Sequence, residues 1–189
     1  FSKADKVAGT YQESLQYPSL NIRGLQSAYV GASARTIVPA TATAEIDVRL
    51  VPESDPYRLM KLIKAHIENQ GFTVLDHEPS DQERQQFDRI LQLSSKVSYA
   101  AFRTDMNSPI GGWLRTQMNR AGFENVVQLR LMGGSIPISP FVEALGIDAV
   151  IIPTVNADNN QHSPNENIRL GNFREGITTM LSLLSAQGL

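Results

Sequence analysis

A chain of 189 residues with 41% hydrophobic and 19% charged positions is long enough for one ordinary globular domain or two small ones. Its 17 basic and 19 acidic residues leave a net charge of −2, which excludes the basic field of a nucleic-acid binder. No apolar run reaches the roughly 18–20 residues of a membrane span, and the absence of cysteine excludes disulfides, thiolate zinc sites and cysteine nucleophiles, while leaving cytoplasmic and exported settings open.

The first residue is Phe1, and no charged-then-apolar targeting segment follows it, so the sequence reads as a piece of something longer. Residues 1–18 are polar and irregular apart from a helical turn around Thr10–Leu15. From Ser19 to Tyr29 the pattern alternates, with Leu20 and Ile22 on one face, and the phase slips to Leu25 after Gly24. Such a slip predicts a bulge. Gly31 to Arg35 is a turn-rich loop. From Thr41 to Val51, Ala42, Ala44, Ile46, Val48 and Leu50 face one way and Thr43, Glu45, Asp47 and Arg49 the other, the pattern of a half-buried antiparallel strand. A helix follows, with Asp55 as cap, Pro56 in its first turn and Gly71 at its stop. Leu59, Leu62, Ile63, His66 and Ile67 form its apolar stripe, so His66 reads as a packing residue. Phe72 to His77 is a further strand, and His77 has no evident role. Strand, strand, helix, strand make a small α+β sheet with one helical layer.

Glu78 to Lys96 is charged and Gln-rich and reads as short helices and connection. A second unit begins near Arg103, which predicts a division into 1–102 and 103–189. In it, Asn107 or Ser108 opens a helix through Ala121 closed by Gly122, Val126–Met132 is a strand, Pro137–Leu145 a short helix and Ala149–Ile152 a buried apolar strand. The last helix carries Phe173, Ile177, Met180, Leu181 and Leu184 on one face. This alternation implies a mostly parallel α/β sheet.

Candidate chemistry gathers at three places. Gly133-Gly134-Ser135-Ile136-Pro137 lies between a predicted strand and a predicted helix. It is either a tight turn or a cradle in which backbone N–H groups and the helix N-terminus meet a carboxylate or oxyanion. His162 sits in a polar loop after the predicted buried strand, where α/β sheets bind ligands. It reads as a surface residue or as a neutral imidazole ligand for zinc. Arg49 is either half of a cross-strand ion pair or a guanidinium fork for a substrate carboxylate. A Ser135/His162/Asp158 triad lacks the nucleophile elbow, and Asp158-Asn159-Asn160 lacks the spacing of a calcium loop.

Pro18-Ser19-Leu20-Asn21-Ile22-Arg23-Gly24, Thr36-Ile37-Val38-Pro39 and Ile46-Asp47-Val48-Arg49-Leu50-Val51-Pro52 are followed by Gly133-Gly134-Ser135-Ile136-Pro137 and His162-Ser163-Pro164-Asn165-Glu166-Asn167. In this order they resemble the zinc metallopeptidase family that includes carnosinase, carboxypeptidase G, acetylornithine deacetylase and succinyl-diaminopimelate desuccinylase. The resemblance runs from about Pro18 to Leu184, and Gly-Gly-Ser-Ile-Pro with Arg-Leu-Val-Pro points to the carnosinase-like branch. It implies an α/β catalytic domain holding two zinc ions and an inserted α+β lid that often mediates dimerisation. Residues 1–102 would then be part of a ferredoxin-like lid with its connection, and 103–189 the C-terminal part of a mostly parallel α/β zinc-exopeptidase domain. His162 would be the last zinc ligand. Gly133, Gly134 and Ser135 would cradle the substrate's terminal carboxylate, with Arg49 binding substrate from the lid, across the dimer in some arrangements. Thr36 falls where some relatives place an Asn or Thr near the scissile group.

The family's His-x-Asp pair, bridging Asp, paired glutamates and further acidic ligand cannot be placed here, since the sequence has no Glu-Glu and no His-x-Asp. The general base is therefore expected upstream. The lid's opening strand and helix are not found before Ser19 either. The expected protein is a piece of a dinuclear-zinc peptidase or amidohydrolase acting on a dipeptide or N-acyl amino acid with a free carboxylate. This chain alone is expected to hold no zinc stably and to be inactive, while the intact enzyme forms a homodimer through the lid. A metal-free interaction module is the alternative, and an N-terminal half bound as a separate chain is a third reading.

Overall fold

The hairpin that opens the fold shows how the sequence corrects its own phase. Strand β1 (Ser19–Ser27) pairs antiparallel with β2 (Ala42–Arg49), matching Leu20 with Val48, Ile22 with Ile46 and Leu25 with Ala44. The register shifts between Ile22 and Gly24, so Arg23 is the extra residue of a bulge. Without it, Leu25 would fall on the opposite face. The displaced Arg23 instead bonds the polar face of β2, reaching Glu45 at 2.8 Å and Asp47 at 3.6 Å. The computed structural model describes residues 7–187.

Two units divide the chain. The first takes residues up to Phe102 together with Gly133–Pro140, and the second takes Arg103–Met132 and Phe141–Leu189. In the first, α1 (Tyr11–Ser14) is capped by Thr10, whose hydroxyl accepts from Glu13 N–H at 3.2 Å. Helix α2 (Pro56–Asn69) starts as its sequence requires: the Asp55 carboxylate accepts from Tyr57 N–H at 2.9 Å and Arg58 N–H at 3.3 Å. Gly71, at φ +86°, takes the left-handed conformation that ends the helix. His66 is exposed, which corrects its reading as a packing residue. Leu59, Ile63 and Ile67 are the partly covered members of the stripe.

The expected ferredoxin-like sheet is not formed among the described residues. Strand β3 (Thr73–Leu75) does not join β1 and β2 but pairs in parallel with β4 (Ile90–Gln92), giving two separate two-stranded sheets. The crossover is α3 (Asp81–Gln86), opened by a capping box between Ser80 and Glu83. Strand β4 lies in the segment read as helices and connection. Its three-residue ladder is too short to leave a period-2 signature, and Thr73 N–H to Arg89 O and Leu93 N–H to Leu75 O, both 2.8 Å, extend it at each end. With no third strand beside the hairpin, Leu20, Ile22, Leu25 and Ile46 stay exposed rather than half-buried.

In the second unit, α4 (Pro109–Arg120) begins at Ser108, whose hydroxyl accepts from Gly111 N–H, and Gly122 follows its end at φ +88°. Helix α4 packs against α6 (Leu170–Leu184), burying Gln117, Met118 and Thr179. The inward face of α6 is Asn172, Gly176, Thr179 and Leu183. Its apolar stripe of Phe173, Ile177, Leu181 and Leu184 is exposed, Leu184 by 85%. Val126–Met132 and Ala149–Ile152 join no ladder, which corrects the expected parallel sheet. A parallel strand is stable only between hydrogen-bonded neighbours. At Ala149 the Thr104 hydroxyl takes that part, donating to Ala149 O at 2.7 Å and accepting from its N–H at 3.2 Å. Helix α5 (Ser139–Leu145) starts two residues later than expected.

Candidate functional site

Five of the six candidate residues lie in the first unit. Arg49 is the last residue of β2, and its guanidinium donates from Nη1 to the Ser135 hydroxyl. These groups are 86 positions apart in sequence. Nη2 of Arg49 lies 3.9 Å from Asp47 Oδ2, on the same face of the strand. The carboxylates of Glu45 and Asp47 are engaged more closely by Arg23, so Arg49 is not held as one half of a tight ion pair. A guanidinium carries five donors, of which the Ser135 hydroxyl takes one and the distant carboxylate faces another, and the side chain is 43% exposed. A planar fork in this state suits a carboxylate.

The turn beside it differs from the sequence expectation. Gly133 and Gly134 precede α5 by several residues, and Ile138 N–H first bonds Ile136 O at 2.8 Å. A helix dipole acts within its first turn, so the dipole does not reach the glycines. Neither is at positive φ. A Cβ on Gly133 would touch only Leu15 at 3.6 Å, and on Gly134 nothing within 4 Å. The open space over Gly134 leaves its backbone approachable. Thr36 lies exposed in the segment between the two hairpin strands.

His162 belongs to the second unit and sits at φ +62°, flanked by Asn160 at +56° and Asn165 at +63°. Asn and His tolerate the left-handed region better than other non-glycine residues. The loop is therefore a sharply coiled one: Ser163 N–H bonds Asn160 O at 3.1 Å and Asn167 N–H bonds Asn159 O at 2.9 Å. Asp158 accepts from Asn156 Nδ2 at 2.9 Å and pairs with Arg169. That hydrogen bond first, with the Arg169 charge after it, holds the Asp158 carboxyl below its ordinary value. Asp158 is thus tied to Arg169 and not to His162, which leaves the triad reading without a geometry. No three His, Asp or Glu side chains gather to hold a metal ion among the described residues. A dinuclear zinc centre needs several such ligands, and the described residues do not gather them.

Sequence reasoning missed two clusters. His77 bridges Asp76 through Nδ1 and Glu83 through Nε2, both at 3.0 Å, although Glu83 looked like an unremarkable member of a charged run. Asn156, buried to 5% exposure, organises the His162 loop. Its signal was the density of Asn around the histidine.

The family model for the M20 peptidase dimerisation domain matches residues 2–73, and the chain as a whole is similar to M20 metallopeptidases. It is 25% identical over 190 residues to the Cys-Gly metallodipeptidase DUG1 of Saccharomyces cerevisiae, covering 95% of this chain and 35% of that protein. To the Beta-Ala-His dipeptidase of Homo sapiens it is 24% identical over 172 residues, covering 85% of this chain and 30% of that one. Among solved structures, the M20 family metallo-carboxypeptidase Sso-CP2 from Sulfolobus solfataricus matches 91% of this chain and 36% of its own, with TM-score 0.63 and 27% identity. Human carnosine dipeptidase 1 shares the fold over 96% of this chain and 37% of its own, at TM-score 0.70 and 22% identity. The chain spans about a third of the length of the relatives it matches.

Proposed function

We propose that this chain is the lid and C-terminal catalytic segment of a zinc-dependent dipeptidase or N-acyl amino acid amidohydrolase, and that Arg49, Ser135 and the Gly133–Gly134 backbone bind the substrate's terminal carboxylate. The Arg49–Ser135 hydrogen bond carries this reading, because it brings the charged fork of the lid to the hydroxyl of the glycine turn. A carboxylate arriving there would accept from the guanidinium, from the hydroxyl and from backbone N–H groups, three donors matched to its lone pairs. Thr36 would act near the scissile group. His162 would be one ligand of two zinc ions in the intact enzyme, with the remaining ligands and the general base on residues this chain lacks. Zinc there would supply Lewis-acid activation of water. Residues 2–73 support a homodimer formed through the lid, since their family is a dimerisation domain.

In the full-length protein, His162→Ala should abolish dipeptide hydrolysis and lower bound zinc, and unchanged turnover with unchanged zinc would sink the ligand role. A second reading, a metal-free interaction module, draws on the exposed apolar stripe of α6. Zinc titration of this chain tests both readings: a single ligand histidine gives no stoichiometric tight binding, and such binding would mean a complete site had been overlooked.

A further inference from the structure

The loop from Asn156 to Arg169 is closed by one buried carboxamide. Asn156 Oδ1 accepts from the N–H of Arg169 at 3.0 Å, and its Nδ2 donates to Asp158 Oδ1 at 2.9 Å and Asn167 Oδ1 at 3.4 Å. Arg169 is the N-cap of α6 and offers that helix no capping side chain. Asn156 thus joins the first residue of the loop to the helix that ends it, and uses both its acceptor and its donor to do so. A second clasp lies inside the first. Asn167 N–H bonds Asn159 O, and the Asn159 carboxamide accepts from Gln161 N–H at 2.9 Å. The three left-handed residues Asn160, His162 and Asn165 lie between these clasps, where Ser163 N–H to Asn160 O at 3.1 Å, Asn160 Nδ2 to Pro164 O and Asn167 Nδ2 to Asn165 O at 2.9 Å brace the coil further. Asn156 and Asn159 are both buried, while His162 itself is exposed and has no hydrogen-bond partner among the described residues. Buried amides at such a density are costly unless each polar atom is matched, and at Asn156 each is.

We propose that Asn156 is a positioning residue: it fixes the loop's two ends and so imposes the left-handed backbone conformation at His162. Its functional value rests on His162 acting as proposed above, whereas its effect on the loop does not. Asparagine is required on both counts. Aspartate in its place keeps the acceptor for Arg169 but loses the donor and sets a like charge against Asp158, and alanine loses both.

Amide hydrogen exchange and backbone NMR of the full chain decide the matter, with Asn156→Ala and Asn156→Asp beside the parent. Asn156→Ala should accelerate exchange of the Ser163 and Asn167 amides at least about tenfold and move the His162 Cα shift and coupling constant out of the left-handed range. Ala121, whose amide closes α4 onto Gln117 O at 2.9 Å, should keep its protection. Asn156→Asp should loosen Ser163 and Asn167 while the Arg169 amide stays protected. Unchanged exchange at Ser163 and Asn167 overturns the proposal. So does equal acceleration at Ala121, which would make Asn156 a stability residue only. Should the alanine variant fail to fold, exchange in the aspartate variant supports or overturns the proposal by the same comparison of Ser163 and Asn167 with Ala121. His162→Ala should leave both loop amides protected, so failure of the zinc role is read from turnover and failure of the positioning role from exchange.

Discussion

The guanidinium of Arg49 and the hydroxyl of Ser135 meet by a direct hydrogen bond although α2, β3, α3, β4 and α4 separate them in sequence. The meeting depends on the hairpin register: Arg49 pairs with Ser19 at the open end of the ladder, on the polar face of β2. The bulge at Arg23 supplies Glu45 and Asp47 with another cation, which leaves Arg49 for the glycine turn. An outward arginine is thereby turned from a surface charge into half of a hydrogen-bonded pair.

Helix α4 contains two adjacent glycines with opposite requirements. A Cβ on Gly111 would lie 2.3 Å from the Met106 carbonyl oxygen, whereas on Gly112 it would meet only Arg115 Nη2 at 3.8 Å. Gly111→Ala is expected to cost about 2 kcal/mol or more by forcing the backbone apart. Gly112→Ala should be neutral or stabilise by up to about 1 kcal/mol through helix propensity. Chemical denaturation of the two variants checks this, and equal effects would contradict the close approach.

The start of α3 should depend on pH at both ends of the range. Two carboxylates facing both ring nitrogens of His77 are satisfied only when both nitrogens donate, and the bonds to Asp76 and then Glu83 raise the imidazole above its ordinary value of 6.5. Glu83 is drawn from 4.5 to about 2, by the Ser80 hydroxyl and N–H first and by His77 after them. A raised base stabilises the fold below 6.5 and loses that contribution as pH rises through its folded value. The lowered acid contributes above 4.5 and loses it as pH falls towards about 2. The turn should therefore be best ordered between these limits, and NMR titration of the Glu83 amide should show both transitions. His77→Ala should remove only the upper one.

The outer face of α6 should tolerate polar residues that its inner face does not. Leu181→Ser, on the exposed stripe, should change the stability of this chain by about 0.5 kcal/mol or less. Met118→Ala, in the buried contact between α4 and α6, should cost about 2–4 kcal/mol. Thermal unfolding of both variants is the check. A loss at Leu181 as large as at Met118 would mean that the stripe is covered in solution.

Much of this fold was legible where it is local. The phase slip around Gly24 foretold the bulge, Asp55 with Pro56 foretold the start of α2, and Ser108 with Gly122 bracketed α4. Pairing between distant segments was not legible. Val126–Met132 and Ala149–Ile152 have the apolar content of buried strands, yet composition cannot say whether neighbours are present to complete a ladder. Strand β3 looked like the third strand of one sheet, and its true partner β4 is three residues inside a charged run. At the site, the residue types of Arg49, Ser135 and His162 were readable. The contact between the first two and the Asn156 clasp around the third are not, because each joins groups whose separation along the chain carries no pattern.

The most direct test of carboxylate recognition compares hydrolysis of a dipeptide with that of the same dipeptide bearing a C-terminal carboxamide. In the full-length protein, the free acid should be favoured strongly. Arg49→Met should lower kcat/KM for the acid by about ten- to a hundredfold, the worth of a hydrogen bond to a charged group, and leave the carboxamide almost unchanged, so that the preference collapses. If Arg49→Met lowers both substrates equally, or neither, Arg49 does not bind the carboxylate and the central assignment is wrong.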